Sequence, residues 1–216
     1  MIGDKLVLKR AHYEVARRLI VILQSQIMKN PGKFVIAIAG ESGSGKSEIA
    51  TVLARLLNKK GITSIIIQQD DYFIYPPKTN ERMRRENMDL VGTAEVHLSL
   101  LDLHLNEIIE GRTEIIKPLV VFDEDQITDK KLNLAGIKVI IVDGTYSMLL
   151  KNVHMRIFID RTYLDTREIR KYRAREKQDA YLEKILGLEH QIISPQKASA
   201  EIIITNDYHV LVKGPV

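Results

Sequence analysis

A stretch between residues 33 and 57 has the composition and spacing of a phosphate-binding loop. An apolar run, Lys33 to Ala39, leads into the sequence Gly40-Glu41-Ser42-Gly43-Ser44-Gly45-Lys46-Ser47. Glycines let backbone N–H groups approach phosphate oxygens without a Cβ in the way, and the positive end of a following helix dipole attracts the same anion. The pattern predicts a nucleotide phosphate site, with Lys46 on the β- and γ-phosphates and the Ser47 hydroxyl on Mg²⁺.

The alternative for this stretch is an ordinary Gly/Ser turn between two core elements. After the loop, apolar residues recur at helical spacing on one face, and Gly61 follows as a typical helix cap. These apolar residues are Ile49, Val52, Leu53, Leu56 and Leu57. The strand, the loop and the helix together favour the phosphate site, and we include Glu48, which directly follows the motif, among its predicted residues.

Acidic residues follow two other predicted strands, at the edge where open α/β sheets bind their ligands. Asp70 and Asp71 follow the Ile-rich segment 63–69, and Asp143 follows the apolar segment 138–142. Phosphoryl transfer needs one acid to accept the hydroxyl proton of the acceptor and another to hold Mg²⁺. We therefore predict Asp70 or Asp71 as the base and Asp143 as a metal ligand, the alternative being that Asp143 begins a routine turn.

Aromatic and basic residues near these acids are further candidates. Tyr72 and Phe73 could form a wall of the acceptor site, or could be plain core aromatics. Arg167 and Arg170 are one helical turn apart and could share a face with Lys171. Such cations stabilise negative charge on a transferring phosphoryl group, whereas the alternative is a solvated helix face balanced by neighbouring glutamates.

The elements that would position these residues alternate between strand and helix. Strands are predicted at 33–39, 63–69, 138–142, 155–159 and 202–204, with a short extended segment at 114–122 that Pro118 interrupts. Helices are predicted around 15–27, 49–57, 98–109 and 182–186. This alternation predicts an α/β fold with three layers and a parallel sheet flanked by helices. Residues 78–86 carry many charges and few apolar side chains, so we predict a mobile loop there.

The composition limits the class of protein. The chain has 216 residues, 45% of them hydrophobic, which is enough for one sizeable domain, and its net charge of +4 suits anionic phosphate ligands. Without cysteine it has no disulfide or thiolate chemistry, and its histidines show no metal-ligand spacing. Residues 1 to 10 lack the apolar core of a signal peptide, and no early apolar run could cross a bilayer, so we expect a cytoplasmic protein without a membrane partner.

In order and spacing, these segments resemble the uridine kinase and phosphoribulokinase family of P-loop kinases, from about Lys33 to Asn206. Residues 69–73 are similar to the family segment whose first Asp is the catalytic base, which implies Asp70. Residues 87–89 resemble the segment whose Asp binds the sugar hydroxyls of the acceptor, which implies Asp89. The resemblance also implies a P-loop NTPase fold of the nucleoside-kinase-like type, with a helical lid.

Other segments extend the likeness to the nucleotide. Residues 142–144 look like the family strand that ends in Glu-Gly, and residues 166–171 resemble the lid helix whose arginines, here Arg167 and Arg170, contact ATP phosphates. Residues 200–204 look like the final strand, near the adenine, which adds Asn206 to the implied nucleotide-binding residues. Lys117 and Pro118 resemble the approach to the acceptor-binding hairpin.

The sequence departs from uridine kinases where those enzymes recognise the pyrimidine. A Tyr and a His follow the hairpin proline in the family; here Val120 stands at the position of the Tyr and Asp125 lies near that of the His, while Phe122 persists. In the lid, Ala174 and Arg175 shift the last arginine by one residue. These departures imply retained catalysis with changed acceptor recognition, which argues against uridine or cytidine.

The residues and the resemblance predict an ATP-dependent kinase that phosphorylates a hydroxyl of a nucleoside- or sugar-like metabolite. A helical extension at 1–32 would precede a kinase domain at 33–216. The predicted acceptor-binding residues are Asp70, Tyr72, Phe73, Asp89 and Phe122. The alternative is a nucleotide-binding ATPase or regulatory protein without a small-molecule acceptor. Nucleic acid is the least favoured ligand, because no binding motif accompanies the basic charge, and assembly into a homo-oligomer is left open.

Overall fold

A six-stranded sheet forms the centre of a computed structural model that describes residues 6–173 and 179–214. In chain order the strands are β1 (Phe34–Gly40), β2 (Ser64–Gln68), β3 (Glu114–Val121), β4 (Gln126–Asn133), β5 (Val139–Asp143), β6 (Met155–Ile159), β7 (Ile202–Ile204) and β8 (Val210–Val212). The sheet order is β2-β5-β1-β6-β7-β8, parallel except for the antiparallel edge strand β8. Strands β3 and β4 form a separate antiparallel ribbon.

Helices cover both faces of the sheet and give the three predicted layers. They are α1 (Arg10–Lys29), α2 (Lys46–Lys59), α3 (Pro77–Glu86), α4 (Leu98–Ile109), α5 (Arg167–Arg173) and α6 (Ala180–Ile193). Alternate side chains of a strand point to opposite faces, so Ile36 and Ile38 share a buried cluster with α1 and α2, whereas Val35 and Ala39 share another with α4 and α6. The α/β class is thereby confirmed. None of the described helices is both long and apolar enough to span a bilayer.

The first helix packs on the sheet through the apolar face that its sequence predicts. Val15, Leu19, Leu23 and Ile27 are all buried, and they pack in the same cluster as the apolar face of α2. Asn30, with extended backbone, then ends the helix before Pro31, as expected from the difficulty of continuing a helix into proline. Helix α1 is therefore a structural part of the layer beneath the P-loop strand.

The prediction of a mobile loop at 78–86 is wrong, because these residues form α3. Pro77 occupies the first turn, where a missing N–H does no harm, and the Asp125 carboxylate accepts hydrogen bonds from Lys78 N at 2.7 Å and Thr79 N at 3.1 Å. At the other end, Arg84 forms ion pairs with two acids outside the helix. Contacts from distant residues thus stabilise a helix that has few apolar side chains of its own.

Two strands were missing from the sequence prediction. Strand β4 is polar and largely exposed, so it lacks the apolar alternation that signals a strand, and it is stabilised by pairing with β3. Strand β8 has only three residues and pairs at the edge with β7. Strand β8 thus adds an antiparallel edge to the predicted parallel sheet, whereas β4 belongs to the separate ribbon.

The register of the sheet gathers the predicted chemistry at one edge. Asp143 at the end of β5 pairs in register with Ile38 of β1 on one side and with Gln68 of β2 on the other. The P-loop follows β1, and Asp70 lies in the turn that follows β2. Strand β5 therefore places its carboxylate between the P-loop and the candidate base.

Candidate active site

The loop between β1 and α2 has the backbone of an anion cradle. Gly43 and Gly45 have φ values of 75° and 102°, which favour glycine, and Gly45 precedes the first turn of α2, where backbone N–H groups lack partners within the helix. A Cβ on Gly43 would lie 3.1 Å from Arg170 Cγ, so the Arg170 side chain would have to shift to admit a larger residue. The buried Ser44 Oγ has no hydrogen-bond partner among the described residues. These features fit a phosphate group.

Lys46, Ser47 and Asp143 form the charged centre of the site. Lys46 donates through Nζ to the backbone oxygen of Glu41 at 3.0 Å, and Ser47 hydrogen-bonds to the Asp143 carboxylate. Hydroxyl and carboxylate oxygens suit Mg²⁺, which takes few protein ligands and completes its shell with phosphates and water. Within the described residues, no group of three or more acidic or histidine side chains could hold a metal ion by itself.

The Asp143 carboxyl is almost completely buried, and this changes its protonation. Burial raises the pKa of Asp143 from 3.8 to about 6, although Lys46 and the hydrogen bond from Ser47 act in the opposite direction. The nearby Asp70 raises it further. At neutral pH the site therefore keeps a buried anion that is suited to a divalent cation.

We expect Asp143→Asn to stabilise the ligand-free protein at pH 8. A carboxyl whose pKa is raised by folding stabilises the fold below its unfolded pKa of 3.8, and this contribution is lost as the pH rises through about 6. At pH 8 the wild-type protein buries a charge that the variant lacks, so the variant should unfold at a higher temperature. The advantage should shrink towards pH 5. Thermal unfolding without nucleotide or metal measures it, with the exposed Asp129→Asn as control, and equal unfolding temperatures at pH 8 would contradict the expectation.

The two adjacent acids after β2 have different environments. Asp70 is partly exposed and lines the cavity beside the P-loop. Asp71 is only 3% exposed and accepts hydrogen bonds from Lys117 Nζ at 2.6 Å and from Val120 N at 3.1 Å. Asp71 thus ties the β3–β4 ribbon to the turn after β2, and Asp70 is the one that a ligand in the cavity can reach.

The cavity beside Asp70 has a volume of about 320 Å³. Its wall includes Ser42 of the P-loop, Phe73, and Val120 and Phe122 at the end of the ribbon. Small-molecule sites have this size and combine apolar walls with a few polar groups. The structure therefore brings together Asp70, Phe73 and Phe122 from the predicted acceptor-binding residues.

Two predicted acceptor-binding residues lie elsewhere. Tyr72 is fully buried in the cluster that includes α4, with its hydroxyl oxygen 2.9 Å from Nδ1 of His104, and burial raises the pKa of this hydroxyl. Asp89 is exposed on the turn 88–90 and is not among the described residues that line the cavity. Tyr72 ends the tight turn at 69–72 and Phe73 follows it, and the two side chains point in different directions. Phe73 therefore reaches the cavity, whereas Tyr72 is part of the core.

Sequence reasoning missed the charged wall that α3 and α6 add to the cavity. The Arg84 side chain is only 14% exposed. It donates hydrogen bonds to Glu95 Oε2 at 2.7 Å and to Glu189 Oε1 at 2.9 Å. Arg85 pairs with Glu81 at 2.7 Å, one turn earlier in α3. The spacing of Glu81 and Arg85, four residues apart, was a signal in the sequence for a helix. No such signal pointed to the acids that pair with Arg84, because they come from other parts of the chain.

The two lid arginines differ in their surroundings. Arg170 is buried and donates to Thr166 Oγ1 at 2.9 Å and to the backbone oxygen of Tyr163. The Arg167 side chain is 59% exposed, with Nε 3.7 Å from Glu183 Oε1. Arg170 therefore anchors the start of α5, whereas Arg167 reaches the solvent. Two further lid residues from the sequence analysis lie outside the described residues, Ala174 and Arg175.

The Glu41 side chain of the P-loop contacts residues that follow β6 and residues of α6. Its carboxylate accepts a hydrogen bond from Tyr163 N at 2.6 Å and lies 2.6 Å from Nδ1 of His190 on α6. Thr166 Oγ1 also donates to the Ser42 carbonyl oxygen at 2.9 Å. The P-loop is thus joined by hydrogen bonds to the segment that precedes α5 and to α6.

The remaining predicted nucleotide residues lie on the far side of the loop. Glu48 is buried in the first turn of α2, and its Oε1 accepts a hydrogen bond from Val7 N at 3.5 Å. Asn206, between β7 and β8, is exposed and its side chain bonds to Arg161 and Asp165, each at 3.3 Å. Both are close to the loop after β7, where the sequence predicted the base of the nucleotide.

Comparison with known proteins identifies relatives of this chain. The sequence profile of the phosphoribulokinase/uridine kinase family matches residues 35–212. A uridine kinase from Leuconostoc citreum is 30% identical over 186 residues, covering 79% of this chain and 86% of that protein. The bifunctional alpha-galactosidase/sucrose kinase of Mediterraneibacter gnavus is 28% identical over 81% of this chain, which spans only 20% of its length.

A solved structure shares the fold at lower sequence identity. The phosphoribulokinase from Rhodobacter spheroides superposes with a TM-score of 0.62 and 13% identity, over 80% of this chain and 70% of that one. The likeness supports the three-layer P-loop architecture alone.

Proposed function

The chain belongs to the phosphoribulokinase/uridine kinase family, and from this premise we propose that it is an ATP-dependent kinase acting on a hydroxyl of a small metabolite. One observation carries the proposal. Lys46, Ser47 and Asp143 meet at one edge of the sheet, and Asp70 stands beside them in the wall of a cavity of small-molecule size.

Each of these residues has a distinct role in the proposed reaction. Bound ATP with Mg²⁺ supplies the phosphoryl group. Lys46 and the loop N–H groups bind the β- and γ-phosphates, and the Ser47 and Asp143 oxygens hold the metal ion. Asp70 accepts the proton of the acceptor hydroxyl, which makes that oxygen a better nucleophile.

The charges around the cavity support an uncharged, hydroxyl-rich acceptor. The Arg84 guanidinium already pairs with Glu95 and Glu189, and Arg85 pairs with Glu81. A phosphate or carboxylate on the acceptor would have to compete with these acids. Val120, which lines the cavity where uridine kinases have a Tyr, further supports a nucleoside- or sugar-like acceptor other than uridine or cytidine.

The experiment for this proposal is a screen of acceptors by ADP formation. Neutral nucleosides and sugars form one set, and sugar phosphates and hydroxy acids form the other. We expect ADP formation to be stimulated by a member of the first set. Steady ATP hydrolysis that no acceptor increases would instead support the alternative of an ATPase or regulatory protein.

Arg167→Ala should lower kcat at least about tenfold and change ATP affinity little, because a solvent-reaching arginine can act on charge that develops in the transition state. Arg170→Ala should lower kcat too, but also the unfolding temperature, because Arg170 is buried and hydrogen-bonded. Initial rates and ATP titrations measure the first effect, and Lys184→Ala, which removes an exposed lysine of α6, is the control. If Arg167→Ala lowered kcat and ATP affinity equally, the alternative would hold, in which Arg167 belongs to a solvated helix face.

We also propose that the kinase domain comprises residues 33–216 and that residues 1–32 are an added helical extension. The family match begins at residue 35, after α1 ends at Lys29, and this supports the division. Helix α1 nevertheless shares a buried cluster with α2 and the sheet, so the extension packs against the kinase domain.

A further inference from the structure

A second cavity lies on the other side of the P-loop. Its volume is about 310 Å³, and Gly43 and Gly45 of the loop line it, together with Glu48 of α2 and Tyr208 after β7. Ser42, the residue before Gly43, lines the acceptor cavity instead. Adjacent loop residues therefore face two different cavities, one at each side of the phosphate cradle.

Residues before the family match form part of this second cavity. Val7, Lys9 and His12 line it. His12 is 3% exposed, and its Nε2 lies 3.3 Å from the Tyr208 hydroxyl and 3.5 Å from the position of a Cβ on Gly45. The extension thus contacts the segment after β7 directly and lies beside the P-loop.

Taking the second cavity as the site of the nucleotide base, as the resemblance implies, we propose that Val7 and His12 of the extension form part of that site and help to determine nucleotide affinity. The inference rests on the proposed kinase function. A nucleoside triphosphate is elongated, and its γ-phosphate must lie on the side of Asp70 and the acceptor cavity. With the phosphates in the loop, the base then lies on the side that Gly43 and Gly45 line.

The chemistry of the second cavity suits a nucleobase. Ile169 and Val7 provide apolar surface, and Tyr172 of α5, which is 78% exposed, offers an aromatic ring to the cavity. Flat bases bind to apolar and aromatic walls that carry a few polar groups. Because Val7 and His12 come from the extension, this chain would close its base site with residues outside the matched family region.

Tripolyphosphate, which has phosphates but no base, is the probe that isolates this contribution. We expect His12→Ala and Val7→Gly each to weaken ATP binding roughly 5- to 20-fold and to leave tripolyphosphate binding within about twofold. Val7 precedes α1, so Val7→Gly carries the test if His12→Ala fails to fold. Val21→Ala, on a side chain of α1 that is 81% exposed, is the matched control and should change neither affinity.

Three results would overturn the inference. The first is wild-type ATP affinity in the folded variants. The second is an equal loss of ATP and tripolyphosphate binding, which would indicate a structural effect on the P-loop. If the wild-type protein bound neither ligand, the proposed kinase function would fail together with the inference. Lys46→Ala identifies the phosphate contribution, because it should weaken ATP and tripolyphosphate alike.

Discussion

Lys46→Ala is expected to lower phosphoryl transfer by at least about 10²–10³-fold, the usual loss when one preorganised group that stabilises transition-state charge is removed. The side chain is partly exposed and bonds to a backbone oxygen within its own loop, so the fold should survive. ADP formation at saturating ATP measures the loss, and the unfolding temperature checks the fold.

The control for this variant is Lys59→Ala, which removes an exposed lysine from the last turn of the same helix. Its activity should equal that of the wild-type protein. A Lys46→Ala protein that turns over ATP at the wild-type rate would contradict the assignment of the loop as the phosphate site.

Asp70→Asn should lower acceptor phosphorylation by roughly 10²–10⁴-fold, the contribution of a general base, and leave ATP affinity nearly unchanged. Asp71→Asn should act on stability instead. Asp71 and Lys117 form a buried ion pair, and burial already lowers the pKa of Lys117. Weakening one partner of such a pair destabilises a protein by about 3 kcal/mol. Asp70→Asn should therefore mainly lower activity, and Asp71→Asn should mainly lower the unfolding temperature.

Both variants are measured for acceptor phosphorylation, ATP affinity and thermal unfolding under the same conditions. An inactive but stable Asp71→Asn protein beside an active Asp70→Asn protein would reverse the assignment. If both proteins phosphorylate the acceptor at the wild-type rate, neither carboxylate is the base, and the kinase proposal loses its main chemical support.

The parallel sheet and the P-loop could be predicted because their signals are local. The apolar segment of β1, the spacing of Gly40 and Gly45, and the apolar face of α2 lie within one short stretch. The convergence of Asp70 and Asp143 followed from a rule about the ends of parallel strands. The register of β1, β2 and β5 agrees with that convergence.

The walls of the acceptor cavity could not be predicted because they depend on partners distant in the sequence. Arg84 is stabilised by Glu189, far along the chain, so a charged segment that looked mobile is helical. The burial of Asp71 depends on Lys117 of the ribbon, and the sequence alone left it open whether Asp70 or Asp71 is the base. Tyr72 illustrates the same limit, since its partner His104 lies on α4.

The way the β3–β4 ribbon is attached has a consequence for how such enzymes diverge. The ribbon lies outside the main sheet and is joined to the catalytic edge by the Asp71–Lys117 pair and to α3 by Asp125. We therefore expect that the ribbon and α3 can be exchanged together without loss of the phosphate site, provided that Glu95 and Glu189 remain to pair with Arg84. A chimera with a foreign ribbon would accordingly need a lysine opposite Asp71 and an acid that caps α3.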